Sequence, residues 1–88
     1  MLNKSEIVER LQRDKLVAVV RVDDTKQLYQ VTEALIEGGV SLIEATMTIP
    51  GLLPVVPDYL QNYGEQIIFG IGSVLNEHMA EDAIRAGA

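Results

Sequence analysis

Apolar residues along the chain fall into three short runs that are rich in β-branched side chains. The runs begin near Leu16, Ser41 and Gln66, about 25 residues apart, and a glycine comes shortly before the second and third. Short apolar runs bounded by turn residues are typical of buried parallel strands. The predicted strands are residues 16–21, 42–46 and 66–71.

A helical pattern precedes the first run, and another follows each of the three runs. One helix is predicted to begin at Asp24 or Thr25, which both cap helices well, and to end at Gly38. The last helix is predicted to begin at Asn76 and to end at Gly87. The predicted apolar faces are Ile7, Val8 and Leu11 within residues 5–13, then Leu28, Val31, Ala34 and Leu35, and finally Met79, Ala80, Ala83 and Ile84.

The segment after the second run is harder to interpret because it contains Pro54 and Pro57. Proline lacks the amide hydrogen that a helix interior needs, but the first helical turn tolerates it. Both prolines fit if the helix begins near Pro54. We therefore expect a short or distorted helix that ends near Tyr63.

Three consecutive βα units predict an α/β fold, in which right-handed crossovers place helices over a parallel sheet. The 88 residues have room for one small domain. A sheet of three parallel strands leaves an open edge and an uncovered face. We therefore expect the chain alone to oligomerise, misfold or aggregate.

Composition narrows the classes of partner. The net charge is −6, and the seven Lys and Arg residues form no basic stripe, so nucleic acid is not expected as a partner. The chain has no cysteine, which excludes disulfides and thiolate metal sites. No apolar run is long enough to span a membrane, and residues 1–13 do not resemble a signal peptide. These features predict a cytoplasmic protein without a metal or cofactor.

Polar residues fall where the predicted strands end, and functional sites of parallel α/β folds lie at that edge. They are Arg21 after the first strand, Glu44 and Thr48 in and after the second, and Ser73 after the third. A carboxylate within a buried strand is costly unless it is paired or used in chemistry. Glu44 is therefore a candidate general base, and a structural ion pair with Arg21 is an equally good interpretation of the spacing.

The segment Gly70-Ile71-Gly72-Ser73 precedes a helix, so its amides and hydroxyl are a candidate anion site. A tight turn without a ligand explains the same residues, because a full phosphate-binding motif is absent. His78 is expected to face solvent. The aromatic residues are too scattered in sequence to predict a stacking platform, and we expect them to serve in packing. They are Tyr29, Tyr59, Tyr63 and Phe69.

Five segments, in order along nearly the whole chain, resemble the 2-keto-3-deoxy-6-phosphogluconate and 4-hydroxy-2-oxoglutarate aldolases. The segments are VAVVR (17–21), EALIEGGV (33–40), IEATMTIPG (43–51), GIGSVL (70–75) and AIRAGA (83–88). The resemblance implies a lyase on a (β/α)₈ TIM barrel that is usually trimeric. It also implies cleavage of a 2-keto acid substrate to pyruvate and an aldehyde through a lysine Schiff base, without a cofactor.

The resemblance assigns roles to four residues of this chain. Glu44 matches the general acid/base, which moves protons through a bound water. Ser73 stands where the family usually has a threonine that helps to hold the pyruvate carboxylate. Thr48 stands where many members have a carboxylate-binding arginine, and Arg21 is then a candidate to supply the positive charge.

The same resemblance places the Schiff-base lysine on the sixth strand, which the chain does not reach. Lys4, Lys15 and Lys26 are the only lysines, and they lie before the first strand or in predicted helices. We therefore interpret residues 1–88 as a single partial domain, the first three βα units and a short helix of a barrel, and expect it to be inactive alone. The alternatives are a small-anion-binding module and a self-assembling fragment without catalysis.

Overall fold

A computed structural model describes residues 2–88 and has the predicted alternation of helices and strands. Four α-helices and three β-strands follow one another, with a short 3-10 helix at Gly64–Gln66 before the last strand. The elements are α1 (Lys4–Asp14), β1 (Ala18–Val20), α2 (Thr25–Glu37), β2 (Leu42–Thr46), α3 (Leu52–Tyr63), β3 (Ile68–Gly72) and α4 (Glu77–Ala86).

The strands form one parallel sheet in the order β1-β2-β3, which confirms the α/β fold class. Parallel pairing sets Val19, Glu44 and Gly70 in one row across the sheet. Residues in one row point to the same side, and the neighbouring rows point to the other. The two faces of the sheet therefore carry different side chains.

The helix-covered face of the sheet holds the hydrophobic core. Strand residues such as Ile43 and Phe69 pack there against Leu28 of α2 and Tyr59 of α3. Leu28 and Tyr59 are completely buried. The full core cluster is Val20, Leu28, Ile43, Ala45, Ile49, Leu52, Val56, Tyr59, Tyr63, Ile67 and Phe69.

The opposite side of the sheet carries Val19, Glu44, Gly70 and Gly72, which we call the open face. Val19 lies on the edge strand β1 and is 61% exposed. Two glycines on this face add no side chains above the backbone. Leu42 and Thr46, at the two ends of β2, are buried on this face, but around its middle row the open face contributes little to the core and leaves room beside Glu44.

Helix caps agree with the sequence signals. The side chain of Asp24 accepts a hydrogen bond from the Gln27 amide at the start of α2, and Asn76 does the same for Met79 at the start of α4. Helix α1 begins with a reciprocal capping box between Asn3 and Glu6, which the sequence analysis did not use.

Helix α3 differs from the expectation of a short helix that starts near Pro54. It begins two residues earlier, at Leu52, and runs for 12 residues with Pro57 inside it. Pro54 lies in the first turn, where backbone amides have no helical partner, so it costs no hydrogen bond. Burial of Val56 and Tyr59 on the core side holds the helix together around Pro57.

Some expected inward-facing residues are instead exposed. Ala34 of α2 faces solvent, and Thr32 takes the buried position. Thr32 fits there because its hydroxyl donates to the Leu28 carbonyl at 2.8 Å and contacts the Tyr59 hydroxyl at 2.7 Å. Ile84 of α4 is 70% exposed. Strands β1 and β3 also start two residues later than predicted.

Candidate functional site

Glu44 lies in the middle of β2 on the open face and is half-buried. Its side chain crosses to β3 and lies over Gly72, at the carboxyl end of that strand. A Cβ atom built on Gly72 would be 2.7 Å from Glu44 Cδ and 3.2 Å from Cγ, closer than real Cβ contacts. The carboxylate therefore rests on bare backbone beside Ser73.

Arg21 does not neutralise Glu44. Within residues 2–88, the ion pairs are Arg13–Asp14, His78–Asp82 and Arg85–Asp82, and neither Glu44 nor Arg21 belongs to one. Arg21 follows β1 and is exposed. The ion-pair interpretation of Glu44 is therefore wrong for this conformation, and the carboxylate is available for other contacts.

Threonine hydroxyls lie at the carboxyl end of β2. Thr46 is buried, Thr48 is exposed, and their Oγ1 atoms are 2.7 Å apart. The Met47 amide also donates to the Gly72 carbonyl at 2.9 Å. This bond joins the ends of β2 and β3, so the loops that carry Thr48 and Ser73 start from linked positions.

Ser73 has a left-handed backbone conformation, with φ of 59°. Few residues other than glycine adopt this conformation, because the Cβ atom crowds the backbone there. Ser73 is half-buried and directly follows Gly72. Strained backbone often marks a functional position. A hydroxyl-bearing residue with an unusual backbone conformation therefore follows directly the glycine over which the Glu44 carboxylate lies.

The three lysines are exposed, and none of them lies in a strand. Lys4 begins α1, Lys15 is its C-cap, and Lys26 lies in the first turn of α2. An amine that forms a Schiff base at neutral pH needs a desolvated or cationic setting that favours the neutral form. All three side chains are exposed to solvent, so burial does not desolvate them.

A cavity lies away from this site. It has a volume of about 530 Å³ and lies along β3 near its amino end, where apolar residues such as Ile7 and Ile67 line it. Glu44, Arg21, Thr48 and Ser73 are not among its lining residues. Among residues 2–88, no cluster of three His, Cys, Asp or Glu side chains could hold a metal ion.

The remaining candidate residues behave as packing or surface groups. His78 is exposed on α4, as predicted, and contacts Asp82 at 3.5 Å. The aromatic residues are separate in sequence but adjacent in space, with Tyr59 and Phe69 ring centroids 4.9 Å apart. Burial raises the pKa of Tyr59 to about 12. These aromatic rings serve in packing, as expected.

The sequence analysis missed the contact between Glu44 and Gly72. Strand alternation puts both residues on one face only once the register between β2 and β3 is known. The glycine in the Gly70-Ile71-Gly72-Ser73 segment was a signal for close approach, but the approaching group was expected to be a ligand. In the structure it is a side chain of the same chain.

In the part of the chain that the structure describes, no helix has both the length and the apolar character needed to cross a membrane.

Comparison with known proteins identifies the family. No curated protein matches the chain significantly. The sequence model of the KDPG and KHG aldolases matches residues 7–88, nearly the whole chain. The chain therefore belongs to the KDPG and KHG aldolase family.

Proposed function

We propose that this chain carries the acid/base part of a Schiff-base aldolase site. The substrate class is 2-keto-3-deoxy-6-phosphogluconate or 4-hydroxy-2-oxoglutarate, cleaved to pyruvate and an aldehyde. One observation carries the proposal: Glu44 is a half-buried carboxylate that has no cationic partner among residues 2–88, on the face of the sheet opposite the helix-covered core. Family membership supports the reaction class.

Glu44 is proposed to transfer protons during carbinolamine formation and carbon–carbon bond cleavage. In the first step the lysine amine adds to the substrate ketone, and a carboxylate with an associated water can take the amine proton and give one to the oxygen. In the cleavage step a base removes the proton of the substrate hydroxyl as the neighbouring carbon–carbon bond breaks. One carboxylate that is free of an ion pair can serve both steps in turn.

The hydroxyls near Glu44 are proposed to bind the substrate carboxylate. Ser73 follows Gly72 directly, and Thr48 is exposed on the loop after β2. Neutral hydroxyls bind a carboxylate more weakly than arginine does, because a charged donor strengthens a hydrogen bond. Arg21, which has no ion-pair partner among residues 2–88, is proposed to supply the missing positive charge.

The Schiff-base lysine is proposed to come from outside these residues. All three lysines of the chain are exposed and none lies on a strand. We also propose that the sheet is part of a (β/α)₈ barrel, whose further strands would cover the open face. The sequential parallel order and the placement of the helices on one face fit that architecture.

A trapping experiment tests the division between nucleophile and acid/base. The chain is incubated with pyruvate and borohydride, beside a chimaera in which residues 1–88 replace the matching segment of an active KDPG and KHG aldolase. We expect the mass of the chain to stay unchanged and the chimaera to gain one reduced pyruvyl adduct. A stoichiometric adduct on Lys4, Lys15 or Lys26 would show that the chain has its own nucleophile.

Self-assembly without catalysis is a second candidate, favoured by the exposure of Val19 on the edge strand β1. Sheet edges and uncovered apolar faces promote association between copies of a chain. Sedimentation over a range of micromolar concentrations measures this directly. A mass that rises with concentration, and falls again in Val19→Lys, would support assembly through the open face.

A further inference from the structure

Glu44 has two directions in which its carboxylate can lie. Its partners in the same row of the sheet are Val19 on β1 and Gly70 on β3. Two residues further toward the carboxyl ends, strand alternation puts Arg21 on one side and Gly72 on the other. One direction leads to an ion pair with Arg21, and the other leads to the backbone beside Ser73.

The structure shows the second direction, and the space above Gly72 permits it. A Cβ on Gly72 would overlap the Glu44 carboxyl group, with Cδ at 2.7 Å. A Cβ on Gly70, the direct row partner, would meet no atom within 4 Å. The two glycines lie on the same face of the same strand, but the carboxylate takes the space above Gly72 and not the space above Gly70.

We propose that Gly72 is a positioning residue that holds Glu44 in the conformer directed toward Ser73 and away from Arg21. Its importance for catalysis rests on the function proposed for Glu44, but the choice of conformer does not. With a side chain at position 72, the carboxylate must leave this space. Strand alternation puts Arg21 in line with Val19 on the same face, and we expect the displaced carboxylate to form an unproductive ion pair with it.

The backbone at Gly72 is unable to make room instead. Its carbonyl accepts the Met47 amide at 2.9 Å, and the strand pairs with β2 through Thr46. The Glu44 carboxyl group is the mobile end of a flexible side chain, so it moves at lower cost than two paired strands do. Alanine also suits the strand conformation of Gly72, which is outside the left-handed region. Gly72→Ala should therefore fold normally.

The test compares Gly72→Ala with the matched control Gly70→Ala in this chain. Arg21→Gln is introduced into the unsubstituted chain and into each variant, and the urea midpoint of unfolding is measured. We expect Arg21→Gln to lower the midpoint by about 0.2 M or more in Gly72→Ala, the scale of an exposed ion pair. We expect no change from Arg21→Gln in the unsubstituted chain or in Gly70→Ala.

A second measurement covers the possibility that a variant does not unfold cleanly. The carbon-13 shift of the Glu44 carboxyl group is recorded in the same chains, or in the chimaera if the chain self-associates. It should change in Gly72→Ala and stay constant in Gly70→Ala. An unchanged shift in Gly72→Ala, or equal changes in both variants, would overturn the proposal. Failure of the proposed function would give a different result. A Glu44→Gln chimaera would keep full activity, while the Glu44 carboxyl shifts in the two glycine variants would still behave as expected.

Discussion

The helix-covered face and the open face belong to the same three strands, yet they differ in almost every property. The helix-covered face buries aromatic and aliphatic side chains, including Tyr59 and Leu28, which are completely buried. The open face has a half-buried carboxylate, two glycines and the exposed Val19. Stability is therefore concentrated on one side of the sheet, and the candidate chemistry lies on the other.

The comparison explains why Glu44 is tolerated within a strand. A buried carboxylate without a partner costs several kcal/mol, but one on an incompletely covered face keeps part of its hydration. Glu44 gains this setting because its row partners are Val19 and Gly70 rather than core residues. The side chain can therefore stay free of an ion pair without unfolding the sheet.

Truncation of one residue on each face gives the largest expected contrast. Tyr59 packs edge-on against Tyr63 at 5.0 Å and lies near Tyr29 and Phe69, so Tyr59→Ala should cost about 3–5 kcal/mol in free energy of unfolding. A domain of this size has about 4–13 kcal/mol in total. Val19→Ala should change the free energy of unfolding by less than about 0.5 kcal/mol.

Urea unfolding monitored by circular dichroism compares the two substitutions. Similar losses for Tyr59→Ala and Val19→Ala would mean that the open face is also part of the stabilising core. In that case the division of the sheet into two faces would be wrong.

Alkaline pH should lower the free energy of unfolding through Tyr59, on the helix-covered side of the sheet. Burial raises the pKa of Tyr59 to about 12, whereas an unfolded tyrosine has a pKa near 10. Between pH 10 and 12 the unfolded state loses a proton that the folded state keeps, so the free energy of unfolding falls. Tyr59 should account for about 2–3 kcal/mol of this loss at pH 12. Below pH 10 both states keep the tyrosine proton, so this loss of stability is absent there.

Tyr59→Phe removes the titrating group and keeps the ring. It should be less stable at pH 8, because the hydroxyl contact with Thr32 is lost, but its stability should fall less steeply above pH 10. Equal slopes for Tyr59→Phe and the unsubstituted chain would contradict the assignment of this pH dependence to Tyr59.

Ser73→Gly should have a small effect, and its sign is informative. Glycine relieves the left-handed strain at φ of 59° but increases the freedom of the unfolded chain. The net result should be a gain of about 0.5 kcal/mol in thermal or urea unfolding. Ser73→Ala keeps the strain and serves as the control. Equal gains for both substitutions would show that the strain is not the cause.

Sequence periodicity was sufficient for the order of the elements and for the bounds of β2. It was insufficient where tertiary contacts override local preferences. Pro57 lies inside α3 because the core side of that helix is buried, and Thr32 is buried because two hydrogen bonds satisfy its hydroxyl. Neither effect can be deduced from a residue and its neighbours in sequence.

The candidate site was only partly predictable from the sequence, because contacts between neighbouring strands decide the rest. The position of Glu44 in β2, two residues before the carboxyl end, follows from the apolar run, and the rule for parallel sheets makes that end the expected place of a site. The choice between Arg21 and Gly72 as its neighbour does not follow from either, because it depends on the space above one glycine in an adjacent strand. Side-chain direction across strands needs the register, which the sequence does not specify by itself.

The most direct test of Glu44 as the proton-transfer group is the turnover of the chimaera with Glu44→Gln. Glutamine keeps the shape of the side chain and its place over Gly72 but cannot exchange a proton as a carboxylate does. We expect kcat to fall by roughly 10² or more with an unchanged melting temperature. A chimaera that keeps its kcat within about threefold of the parent, or that loses its fold, would contradict the assignment of Glu44 to chemistry rather than structure.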